Sequence, residues 1–109
     1  MNMNIPKKFY LYGFPVKVEI DNSIPAAGQC ITDECKLKLS TKNCKTKEIF
    51  EQAFCHELIH MVLIYSKVVN CYKLDNGKEL WLDENFIDNI STLLHQSLTS
   101  GEGTITWKE

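Results

Sequence analysis

The stretch from Ala53 to Ile64 is almost wholly apolar, yet it carries His56, Glu57 and His60. Ala53, Phe54, Leu58, Ile59, Met61, Val62, Leu63 and Ile64 surround them, the composition of a helix apolar nearly all round and buried in a core. Burying two histidines and a glutamate there is costly unless they are paired or ligated. Residues four apart on a helix share one face about 6 Å from each other, so His56 and His60 can turn two imidazole nitrogens toward one metal ion. Glu57 projects to the same side, where a carboxylate can take the proton of a metal-activated water. The rival arrangement is a pair of hydrogen-bonded core histidines with Glu57 reaching solvent.

The flanking sequence supplies elements for one small α+β domain. Phe9 to Ile20 is aromatic and β-branched, and Val16, Val18 and Ile20 alternate with Lys17 and Glu19, the pattern of a strand with one face on a core. Gly13 and Pro15 interrupt it and divide it into two short strands or a strand with a bulge. A loop over Asp21 to Gly28, a strand at Gln29 to Thr32, a turn at Asp33-Glu34 and a strand at Cys35 to Ser40 follow. An antiparallel meander is the simplest pairing. The motif helix is expected from about Lys47 to Ser66 with Thr46 as its N-cap, ending before Val68-Val69. After a loop through Leu80, with a turn at Asp75 to Lys78, a second helix runs from about Leu82 to Leu98. Its core-facing stripe is Phe86, Ile87, Ile90, Leu93, Leu94 and Leu98, and Asp83 or Glu84 suits its positive end. Thr104 to Glu109 reads as a short edge strand or a frayed tail.

A catalytic zinc site takes three protein ligands and leaves a position for water, so a further carboxylate or histidine is needed. A third histidine six residues beyond His60, with glycine three residues beyond it, is absent: Leu63 and Ser66 stand there. Candidates remain in Trp81 to Asp88. Here the chain resembles the gluzincins, thermolysin-like peptidases in which a glutamate on a later helix completes the site and an aspartate four residues on supports a ligand histidine. Glu84 and Asp88 match that spacing, 24 residues after His60. The resemblance is nearest to the minimal members, the minigluzincins and small phage or prophage proteins, and covers nearly the whole chain. It implies a β-meander packed on a buried motif helix and a second helix bearing the third ligand. It also implies Zn2+ on His56, His60 and Glu84, Asp88 holding one ligand histidine, and Glu57 as the base in hydrolysis of a peptide or protein substrate.

Larger gluzincins stabilise the oxyanion with a His or Tyr from a second lobe, and no residue here matches it. Tyr65 lies about 180° round the motif helix from His56, and His95 stands about 16 Å along the second helix from Glu84 and reads as a hydrogen-bonded core or boundary residue. Tyr72, on the loop, is the open candidate. Two rivals to a general peptidase are a phage-type regulatory protease with one protein partner and a non-catalytic binding module stabilised by zinc.

With 12 basic and 14 acidic residues in 109, the chain has no basic field for nucleic acid. No apolar run approaches the roughly 20 residues needed to span a bilayer, and no apolar stretch of signal length follows Lys7-Lys8, so no membrane partner and a cytoplasmic location are expected. Five cysteines, Cys30, Cys35, Cys44, Cys55 and Cys71, are odd in number and form no Cys-x-x-Cys, which favours reduced thiols.

Overall fold

The computed structural model describes residues 3–66 and 74–106. Strands β1 (Lys8–Leu11), β2 (Phe14–Ile20), β3 (Gly28–Ile31) and β4 (Lys36–Leu39) precede helix α1 (Lys47–Tyr65), a 3-10 turn at Leu80–Leu82 and helix α2 (Glu84–Thr99). The fold is α+β, a four-stranded mixed sheet with two helices.

The sheet is not a meander. Its order is β1-β2-β4-β3, and β4 runs parallel to β2 while β1/β2 and β3/β4 are antiparallel. The reason lies in burial. Leu37 and Leu39 of β4 are fully buried, so β4 takes the interior place between two neighbours, whereas β3 has a glycine in place of a large side chain and takes the edge. On the opposite face Lys36 and Lys38 meet Glu19 at 3.4 Å and Asp21 at 2.9 Å, cross-strand pairs that agree with the parallel register. The crossing segment between β2 and β3 is held by side chains. Asn22 Oδ1 accepts from Ser40, Thr41 and Lys42, and the Asn43 amide donates to the carbonyls of Ile24 and Ala26.

Thr46 caps α1, its hydroxyl accepting from the Ile49 N–H at 3.1 Å. One cluster of buried side chains joins Phe54, Cys55 and Met61 of α1 to Val16, Leu37 and Leu39 of the sheet. Helix α1 packs on β3 and β4 on one side and on α2 on another. It is not buried all round, since Ile49 and Val62 are exposed.

Helix α2 departs further from its apolar stripe. Ile87, Ser91 and His95 face inward, while Ile90, Leu93 and Leu98 are exposed. Two polar bonds to α1 set this rotation, His95 to Glu51 at 2.9 Å and Asp88 to His56 at 2.8 Å. A buried glutamate left unpaired would cost more than leaving two or three aliphatic side chains in water.

Residues 104–106 carry no regular structure, and 107–109 lie outside the described residues. Among the described residues no helix is long and apolar enough to cross a membrane. Cys30, Cys35, Cys44 and Cys55 are free thiols; Cys71 is outside the described residues.

Candidate metal centre

His56 and His60 stand one turn apart on α1, and their Nε2 atoms are 3.2 Å from each other. Glu84 enters from α2. Its place there depends on Asp83, whose carboxylate caps the helix by accepting the Phe86 N–H at 2.8 Å, leaving Glu84 as the first helical residue with its own carboxylate uncommitted to the cap. Glu84 Oε2 lies 3.1 Å from His56 Nε2, and Glu84 Oε1 lies 3.4 Å from His60 Nε2. One ligand atom from each of the three residues falls within 4.8 Å of the others.

The protonation logic follows from Asp88. Its Oδ1 is 2.8 Å from His56 Nδ1, and a carboxylate only accepts, so Nδ1 carries the proton and donates. In the neutral ring Nε2 is then an acceptor facing a second acceptor, Glu84. Atoms so disposed hold together only around a proton or a cation. Four ligands at about 2.0–2.1 Å from a tetrahedral zinc are about 3.3–3.4 Å from one another. The separations of 3.1, 3.2 and 3.4 Å match the edges of such a tetrahedron, and imidazole nitrogen with carboxylate oxygen is a donor set zinc accepts. The residues fit the ion.

Glu57 is largely buried beside this group, with Oε2 3.9 Å from His56 Nε2. Burial raises its carboxyl to about 7; His56 opposes that shift and Glu84 adds to it. Gly28, at the start of edge strand β3, makes room for it. A Cβ on residue 28 would stand 2.9 Å from Glu57 Cγ and 3.4 Å from Leu39 Cδ2. The sequence pattern places Gly28 at the end of a loop, whereas in the structure it opens β3. The available signal was a glycine opening a strand, which can mark close approach by another group.

A cleft of about 660 Å³ opens over the cluster, walled by Gln29, Cys30 and Thr32 of the β3 side and by His56, Glu57, His60 and Glu84. A second hollow of about 480 Å³ shares Gly28, His56 and Glu57 with it and extends along Ala26, Ala27, Ser91 and Thr92. Burial, aided by the nearby Glu57 charge, pushes the Cys30 thiol up to about 12.

The oxyanion candidates fall elsewhere. His95 is buried against Glu51, the Tyr65 hydroxyl is 3.0 Å from Cys35 Sγ, and neither residue lines the cleft. Tyr72 lies outside the described residues. Sequence reasoning also missed Glu51 as the partner of His95, since nothing in residue spacing links positions on separate helices.

Comparison with protein-family models, with curated proteins and with solved structures finds no match.

Proposed function

We propose that this chain is a zinc-dependent peptidase of gluzincin type, in which His56, His60 and Glu84 would hold the metal and Glu57 is the general base. The observation that carries the reading is the set of three ligand atoms spaced like the edges of a zinc tetrahedron, with a buried glutamate beside them. Bound zinc supplies a Lewis acid that lowers the pKa of water and polarises a carbonyl.

The chain's own residues do the rest. Asp88 holds the proton of His56 on Nδ1, which keeps the Nε2 lone pair turned into the cluster. Glu57, on the cleft floor, takes a proton from the attacking water and returns it to the leaving amine. The outer edge of β3 borders the same cleft, and its unpaired backbone groups suit an extended peptide added as a further strand. Such binding reads main chain before side chains, so the substrate is a peptide or an unstructured protein segment. The finer arrangement that this function needs, a motif helix set between a sheet and a helix bearing the third ligand, is part of the proposal. A reducing cytoplasm suits the four free thiols.

Metal content decides the matter first. Protein purified without added metal or a metal-binding tag is expected to hold one equivalent of zinc, Glu84→Ala to lose it, and Glu57→Gln to keep it while failing to cleave a casein-derived peptide mixture. Wild type that stays metal-free in the presence of zinc overturns the reading.

A further inference from the structure

The first 18 residues contain three lysines, Lys7, Lys8 and Lys17, and no aspartate or glutamate, in a chain of formal net charge -2. All three lysines are exposed, and the β1/β2 register sets Lys8 directly opposite Lys17. Like charges in that relation weaken a sheet rather than stabilise it. Lysine on an edge strand guards against unwanted pairing, which accounts for Lys8. It does not account for what the hairpin carries at its tip.

There Tyr10, Tyr12 and Phe14 are 61%, 79% and 62% exposed. Tyr12 adopts a φ of 51°, a left-handed conformation that a bulky side chain rarely takes, next to Gly13 at 78°. An asparagine or glycine would make the same turn at lower cost. The tip overhangs the end of α1, and between them lies a groove of about 290 Å³ lined by Tyr10, Leu11, Tyr12, Val62, Tyr65 and Ser66. None of these residues lines the metal cleft. Exposed tyrosines around a concave apolar floor are the composition of interface hot spots.

We propose that this groove is a second binding site, lined by none of the residues of the metal cleft, which takes an apolar side chain of an acidic protein segment. The aromatic walls hold the side chain, and Lys8, whose Nζ lies 5.9 Å from the centre of the Tyr10 ring, attracts the acidic residues around it together with Lys17 opposite it. A groove beside the hairpin tip, rather than a bare projecting tip, favours a protein side chain over a lipid surface. The site stands whether or not the chain hydrolyses peptides; if it does, the groove selects which protein is presented to the cleft.

The test is an NMR titration of the ¹⁵N-labelled full chain with a short peptide carrying one leucine between runs of aspartate and glutamate, at low and high salt. Shifts are expected at residues 10–14 and 62–66, with those of His56 and Glu57 unmoved. Affinity is expected to fall about tenfold in Tyr12→Asn and in Lys8→Glu, and Lys8→Glu also weakens the salt dependence. Asparagine tolerates the left-handed turn, so the fold is kept; a thermal melt verifies this, and Tyr10→Thr gives the same readout if it is not. The proposal is overturned if the peptide does not bind, if a version with serine for leucine binds as tightly, or if the variants bind like wild type. It is also overturned if only phosphatidylserine vesicles move these signals, which would assign the surface to lipid.

Discussion

Two groups of histidine–carboxylate contacts join α1 to α2, built from the same residue types and opposite in character. At one end His95 and Glu51 meet at 2.9 Å with side chains 6% and 4% exposed, and the second oxygen of Glu51 accepts the Met3 N–H at 3.1 Å. Both oxygens of Glu51 and Nε2 of His95 are partnered, and among the described residues no buried side-chain polar atom lacks a partner. At the other end His56 meets Asp88 at 2.8 Å, but Asp88 and Glu84 are 62% and 61% exposed and acceptors outnumber donors. The closed pair completes itself and locks the helices. The open group turns ligand atoms of His56, His60 and Glu84 toward one another, the arrangement that the proposed metal would neutralise. What separates structure from site here is the balance of donors and acceptors, not the residue types.

Substitutions test that contrast, beginning where the effect is largest. Glu57→Gln is expected to lower peptide hydrolysis by about a hundred- to ten-thousandfold with zinc content unchanged, as read by initial rates and metal analysis. Equal loss of zinc would make Glu57 a ligand and break the division of roles. Asp88→Asn is expected to weaken zinc affinity by about ten- to a hundredfold in a chelator competition, with a melting temperature in metal-free protein close to wild type. Gly28→Ala, which crowds Glu57 Cγ, should slow hydrolysis by roughly tenfold through misplacement of the base, and leave zinc stoichiometry intact.

The closed pair should answer in the other measurement. His95→Ala strands a buried carboxylate and is expected to lower the melting temperature by on the order of 10 °C, with zinc still bound at one equivalent. A joint replacement of His95 and Glu51 by leucine should recover much of that loss, which no paired replacement in the open group can do for metal binding. The smallest effect is in pH. The hydrogen bond from His95, then that from Met3, holds the Glu51 carboxyl below its ordinary value of 4.5. Its stabilisation is therefore fully present above pH 4.5 and fades as pH falls through the lower folded value. Melting curves of wild type and Glu51→Gln should approach each other only in that acid range. A gap that closes well above pH 4.5 would overturn the assignment to the Glu51 carboxyl.

Some of this was legible in the chain and some was not. The helix around His56 and His60 and its cap at Thr46 follow from local spacing, because one turn of helix repeats reliably; the approach of Asp88 to a motif histidine joins two helices and came only from the resemblance. The sheet order did not follow, since short strands of similar pattern pair equally well locally and only the demand to bury Leu37 and Leu39 places β4 between β2 and β3. The stripe on α2 misled for a related reason: hydrophobic period gives a face, but the bonds from Asp88 and His95 to α1 turned that face partly outward.

What the sequence by itself determined is the pair of imidazoles one turn apart with a glutamate beside them, and a second helix headed by acidic residues. These depend on backbone geometry over four or five residues, which the local chain dictates. Only the tertiary structure decided that Glu84 comes within 3.4 Å of both histidines, that Gly28 clears the space for Glu57, and that His95 closes on Glu51 rather than joining the open group. Those contacts bridge residues 24 to 44 positions apart, and their distances are set by how the helices and sheet pack to bury one shared core.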